Sequence, residues 1–232
     1  MHLRAERKPR LRFRVLATDY DGTLACEGIV AAGTVAALHR VRASGRKLIL
    51  VTGRELPELR DLFSSLDLFD LVVVENGALL YIPATGENRL LGAKADKSFV
   101  RHMAHHGVPI SVGRSVVATV RPYDEVVLKV IQEFSFPLQV IYNKEAVMVL
   151  PIGVSKATGL AAALAELSLP ESDVVGIGDA ENDHEFLSQC GLSVAVANAI
   201  PSLKARVHQI TRGEDGSGVV EVIDQILKGD LR

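Results

Sequence analysis

Short runs of consecutive apolar residues recur along this chain, each followed by a polar turn and then by a stretch with helical periodicity. Residues 12–18, 47–51, 71–75, 173–178 and 192–196 read as strands buried on both faces, because they lack the alternation of a half-exposed strand. Residues 34–44, 156–167, 182–189 and 218–227 read as helices; Gly45 closes the first, and Pro57 suits the first turn of another. Alternating strands and helices predict right-handed βαβ units, and so an α/β fold with a doubly wound, mainly parallel sheet.

The pattern changes between Pro83 and Gly153. A helix over 97–106 leads into an alternating stretch, 109–120, then a helix over 123–133 and two strands, 138–142 and 145–150, joined by Asn143-Lys144. Hairpins and helices in one block predict a small α+β module inserted into the core, edged by the turn-rich Pro83-Ala84-Thr85-Gly86 and Pro151-Ile152-Gly153. The expected organisation is a leader over 1–11, a core made of 12–82 and 154–232, and the inserted module over 83–153.

Acids collect where strands end. Asp19-Tyr20-Asp21-Gly22-Thr23 follows the first strand, and Gly178-Asp179-Ala180-Glu181-Asn182-Asp183 completes the strand at 173–178. Ligands of open parallel sheets bind beyond the carboxyl ends of the strands. Two acids two residues apart repel unless a cation offsets them, and Mg²⁺ takes carboxylates together with water and a substrate phosphate. The plainer reading of Asp and Asn after strands is helix capping.

With Thr52-Gly53-Arg54 after the second strand and the lone Lys156, these loops resemble the haloacid dehalogenase superfamily. Its signature runs Asp-x-Asp-Gly-Thr, a Thr or Ser, a Lys, and Gly-Asp-x-x-x-Asp, and all four motifs occur here in order. The resemblance spans nearly the whole chain from Phe13 onward. The insert lies between the second and third motifs, as in the C2-type caps of Cof-type phosphatases. In size it is similar to the caps of archaeal phosphoglycolate phosphatases, and sucrose-phosphatase-like enzymes belong to the same group.

The resemblance implies a Rossmannoid core under an α+β cap. It also implies a Mg²⁺-dependent phosphatase that hydrolyses a small phosphorylated metabolite, such as a sugar phosphate or phosphoglycolate, through an aspartyl phosphate. Asp19 would be the nucleophile and Asp21 the acid and base. Asp19, Asp21 (through its carbonyl), Asp179 and Asp183 would make up the metal set, with Asp183 alternatively orienting Lys156. Thr52, Gly53, Lys156 and Asn182 would meet the transferring phosphoryl group. Ala157 stands where the family usually has Gly. Arg54, Glu75-Asn76-Gly77-Ala78 and Asn198-Ala199 also resemble positions lining or supporting the site. Phosphoryl transfer to a second alcohol, or non-catalytic sensing of a phosphate ester, are the alternatives; the intact Asp19 and Asp21 favour catalysis.

Bulk composition changes little. With 232 residues, 48% of them hydrophobic and 23% charged, the chain reads as an ordinary soluble enzyme, and a net charge of -2 gives no sign of a nucleic-acid surface. Cys26 and Cys190 are far apart and lack metal-ligand spacing, as expected of reduced cytoplasmic thiols. No stretch reads as a bilayer span or a secretory signal. Arg4, Arg7, Lys8, Arg10, Arg12 and Arg14 crowd the start, where the lack of interleaved aromatics favours a solvated leader over a nucleic-acid or lipid contact. The expected partner is a small phosphate ester, with neither nucleic acid nor membrane, and the protein a monomer or homodimer. In the insert, Arg101, Arg114, Arg121, Tyr123 and Lys144 are candidate substrate contacts. His102, His105 and His106 read as last-turn helix residues rather than a metal face.

Overall fold

The computed structural model describes residues 12–230, so the basic leader expected over 1–11 lies outside the described residues. The chain opens with β1 (Val15–Thr18), α1 (Ala32–Ala43), β2 (Lys47–Val51), α2 (Leu56–Leu62), β3 (Leu71–Val74), β4 (Leu79–Ile82) and β5 (Glu87–Leu90). A middle block follows: α3 (Lys97–His105), β6 (Ser111–Val112), β7 (Val117–Val120), α4 (Asp124–Glu133), β8 (Leu138–Asn143) and β9 (Ala146–Pro151). The last part holds α5 (Lys156–Leu167), β10 (Val174–Gly178), α6 (His184–Gln189), β11 (Leu192–Ala195), α7 (Pro201–Lys204), β12 (Gln209–Ile210) and α8 (Asp215–Lys228).

Eight strands form one sheet in the order β12-β11-β10-β1-β2-β3-β4-β5, parallel from β12 to β3 and antiparallel at β4 and β5. Leu48, Ile49, Leu50 and Val51 are all fully buried, as an uninterrupted apolar run requires when helices cover both faces of a parallel sheet. Helix α1 packs on α8, while α5 packs on α6 and crosses β2, β3 and β4. From β1 the chain winds outward to β5 and later returns through β10 on the other side of β1. The gap between the ends of β1 and β10 is therefore the topological switch point, where α/β sheets bind ligands.

The middle block supplies a second, four-stranded sheet in the order β6-β7-β9-β8. Phe99, Met103, Val117, Val127, Val130 and Val149 form a separate cluster beneath it. One expectation needs correction. Strand β5 falls within the segment assigned to the insert, yet it pairs with β4 at the edge of the large sheet. Its residues alternate between exposed and half-buried, so it has no apolar run to mark it. The alternating stretch 109–120 is two strands, with Ser111 opposite Ala118 and the Gly113 N–H on the Val116 carbonyl closing the turn. That turn is held from outside: Glu75 accepts hydrogen bonds from the N–H groups of Arg114, Ser115 and Val116 at 3.0, 2.8 and 3.1 Å.

Gly77 ties the two halves of the core together. Its φ is +105°, and a Cβ there would lie 1.9 Å from the Ser155 carbonyl oxygen. Glycine thus lets the turn after β3 touch the residue that caps α5. Ser155 and Thr158 form a capping box at that end, which fixes where Lys156 enters the site.

Candidate active site

Asp19 leaves the end of β1 with its N–H bonded to the Ile177 carbonyl of β10, so the two acidic loops start side by side. Its Oδ1 accepts from Lys156 Nζ at 2.5 Å, and the same ammonium donates to Asp183 Oδ1 at 2.7 Å. All three groups are buried. Asp183 Oδ2 accepts from the N–H groups of Asp179 and Ala180 at 2.8 and 3.0 Å, so both of its oxygens are engaged. Asp179 takes the Thr23 hydroxyl at 3.0 Å on Oδ1 and Lys144 Nζ at 2.7 Å on Oδ2. Lys144 reaches in from the turn between β8 and β9.

Among the described residues, Asp19, Asp179 and Asp183 form the group able to hold a metal, with one carboxylate oxygen from each lying within 4.8 Å of the others. Burial raises the pKa of Asp19 well above its ordinary value; Lys156 pulls it down, while Asp183 and Asp179 push it further up. Asp179 is raised as well, by burial first, against the lowering hydrogen bond from Lys144. Burial draws Lys156 down, but Asp183 and Asp19 outweigh it, so the net direction is up and the side chain stays an ammonium. Three crowded carboxylates in need of counter-charge, all offering oxygen, suit a hard divalent cation.

Asp21 stands apart from that cluster. Arg54 grips it with Nε on Oδ2 at 2.6 Å and Nη2 on Oδ1 at 2.7 Å, and also bonds Glu58. The guanidinium lies 5.8 Å from the Tyr20 ring centroid. Thr52 is buried at the end of β2, and its hydroxyl accepts from the Arg54 N–H at 3.1 Å. A Cβ on Gly53 would sit 3.1 Å from the Met148 sulfur of β9, so apolar surface from the second sheet closes over this loop. Asn182 does not turn to Asp19; its amide donates to Asn76 Oδ1 at 3.0 Å. Asn182 also lines a cavity of about 410 Å³ with Gln139, Glu181 and Arg206. Asn198 braces the first acidic loop by donating to the Gly22 carbonyl at 2.8 Å.

Other sequence candidates go elsewhere. Arg121 stacks on Tyr142 at 4.8 Å, Arg114 lines a separate cavity with Asn88 and Lys94, and His102 stacks on Phe134 at 3.9 Å. Two contacts escaped sequence reasoning: the Arg54 fork on Asp21 and the Lys144 bridge to Asp179. The Arg following Thr52-Gly53 was visible, but nothing local identified its partner. Lys144 was one cap cation among several.

The chain matches the haloacid dehalogenase-like hydrolase family over residues 16–115 and 124–223. It is 30% identical to phosphoglycolate phosphatase 2 of Saccharolobus solfataricus, covering 94% of each chain. It is 29% identical to the phosphoglycolate phosphatase of Methanothermobacter thermautotrophicus, covering 92% of this chain and 99% of that one. Its fold is similar to a haloacid dehalogenase-like hydrolase from Bacteroides thetaiotaomicron, with a TM-score of 0.79 at 17% identity over 92% and 99% of the two chains. A subclass IIB sugar phosphatase shares the fold with a TM-score of 0.77 at 19% identity over 91% and 98%. By its motifs, its fold and these matches, the protein belongs to the haloacid dehalogenase-like hydrolase family.

Proposed function

We propose that the protein is a Mg²⁺-dependent phosphatase that hydrolyses a small phosphorylated metabolite through an aspartyl phosphate on Asp19. The observation that carries this reading is the Lys156 ammonium, buried between Asp19 and Asp183, beside the three-carboxylate cluster. Its relatives' names, phosphoglycolate phosphatase and sugar phosphatase, support a small phosphate ester as substrate.

Asp19 Oδ2 is the oxygen left to attack phosphorus, since Lys156 holds Oδ1. The attack breaks the ester P–O bond and leaves the phosphoryl group on Asp19. The Thr52 hydroxyl and the Gly53 N–H donate to the phosphoryl oxygens, and Lys156 balances their charge as the transition state spreads it. Asp21 gives its proton to the departing alkoxide and later takes one from the water that hydrolyses the aspartyl phosphate. Both oxygens of Asp21 accept from Arg54 here, so either transfer requires that pair to open, and the first also requires Asp21 to take up a proton from solvent once it is free. Asp19, Asp179 and the Asp21 carbonyl would hold Mg²⁺, which supplies positive charge to the phosphoryl oxygens. Asp183, engaged on both oxygens, is best read as the group that orients Lys156. Residues 93–153 act as a cap over a core that includes β5.

The test is release of inorganic phosphate from a panel of phosphate esters, with and without Mg²⁺, by the wild type and Asp19→Asn. We expect Mg²⁺-dependent release by the wild type and a loss of at least about a thousandfold in the variant. Retention of a tenth of wild-type kcat/KM by Asp19→Asn would exclude the covalent route.

A further inference from the structure

The turn between β8 and β9 carries a lysine in an unusual position. Lys144 has φ +53°, a left-handed backbone that a branched or long side chain adopts at a cost. Two contacts with the second acidic loop hold it there: its N–H donates to Glu181 Oε2 at 3.1 Å, and its Nζ donates to Asp179 Oδ2 at 2.7 Å. The first acidic loop is shaped around the same ammonium, since a Cβ on Gly22 would lie 3.1 Å from Lys144 Nζ and 2.6 Å from Asp179 Oδ2. The side chain is 51% exposed, whereas its partner Asp179 is 1% exposed. Lys144 thus spans from solvent to the buried cluster.

We propose that Lys144 is the specificity residue of this site and that it selects substrates whose leaving group carries an anion close to the phosphate, that is, phosphorylated small carboxylic acids. This rests on the reading of Asp19 and Lys156 as the phosphoryl site. In-line displacement puts the leaving oxygen on the far side of phosphorus from Asp19. The second sheet packs on the loops around Asp19, with Met148 against Gly53 and the Lys144 ammonium on Asp179, so a leaving group directed away from Asp19 would meet it. Arg114 and Arg121, other cations of that block, are turned to a separate cavity and to Tyr142. A divalent cation held by Asp179 would take up the negative charge that now engages the Lys144 ammonium, which would then be available to an anion on the ligand. A neutral sugar leaves the ammonium without a partner.

Binding of two phosphonates separates this inference from the catalytic reading, because neither can be hydrolysed. 3-Phosphonopropionate carries a carboxylate beyond the phosphorus, and propylphosphonate has a methyl group in its place. Calorimetry at saturating Mg²⁺ should show the carboxylate ligand binding the wild type about 10- to 100-fold more tightly. In Lys144→Met that advantage should collapse to within about threefold, and Lys144→Arg should keep most of it. An equal affinity of the wild type for both ligands, or an advantage that survives in Lys144→Met, overturns the inference even if the enzyme hydrolyses phosphate esters. If neither phosphonate binds, the phosphoryl site itself is misread and the inference falls with it.

Discussion

Arg54 holds Asp21 by two parallel hydrogen bonds, 2.6 and 2.7 Å long, which together engage both oxygens of the carboxylate. This planar fork fixes the orientation of Asp21 in a way that a point charge does not. In the proposed mechanism, Asp21 is therefore parked on a neighbouring cation, and it must leave that fork and take up a proton before it can act as the acid.

Arg54→Lys should keep the charge and lose the fork. We expect kcat/KM for an alkyl phosphate to fall by about tenfold or more, with a smaller loss for p-nitrophenyl phosphate, whose phenolate leaves with little protonation. Parallel kinetics on the two esters check this. An equal loss on both would show that Arg54 acts on the substrate rather than through Asp21.

Lys156→Met leaves Asp19 and Asp183 buried without their shared counter-charge. Removing one partner of a buried ion pair costs about 3–5 kcal/mol. Metal-free thermal unfolding should show a loss of that order, and Mg²⁺ should restore part of it by supplying charge to the same cluster. Turnover should fall by about 10²- to 10³-fold even when Mg²⁺ has restored the fold.

Metal binding should release protons. The pKa of Asp19 is raised well above its ordinary value and that of Asp179 is raised too, burial being the largest cause for each. As pH falls towards their raised values, protons compete with the cation, so affinity weakens sooner than ordinary carboxylates would allow. Titrating Mg²⁺ at pH 7.5 and pH 5.5, in buffers of different ionisation enthalpy, counts those protons. Affinity that stays constant across this range, with no proton released, would contradict the assignment.

Replacing residues 93–153 with a short Gly/Ser linker should leave a folded core that still binds metal. The ends to be joined are close, because a Cβ on Gly92 would lie 3.0 Å from Val154 Cγ2. The shortened protein should lose far more kcat/KM on a phosphorylated acid than on p-nitrophenyl phosphate. Circular dichroism, calorimetry and paired kinetics measure the three outcomes, and a proportional loss on both esters would remove the cap from substrate selection.

The parallel part of the sheet could be read from the sequence because strands such as Leu48–Val51 are buried on both faces and so carry unbroken apolar runs. Strand β5 could not, since an edge strand of Glu, Asn, Arg and Leu is specified by its antiparallel partner rather than by its own pattern. Within the site, Asp19, Asp179, Asp183 and Lys156 could be named from motif order. Their division of labour could not: whether Asp183 faces a metal or Lys156 depends on where two backbone N–H groups point. Glu75 is a similar case. It was visible as one residue of a motif, but the three amides it holds are about 40 residues further along the chain.

The strand order has a consequence for how the protein is made. β1 pairs with β2 early in the chain, but its other neighbour is β10, and the contacts that build the site join Asp19 to Lys156 across 137 positions and Thr23 to Asp179 across 156. Synthesis from the N-terminus leaves β1 with an open apolar edge until β10 arrives. Pairing over such separations is slow, and an uncovered edge invites association between nascent chains. A polypeptide stopped before Val174 has Asp19 and Lys156 but nothing to bring Asp179 and Asp183 beside them.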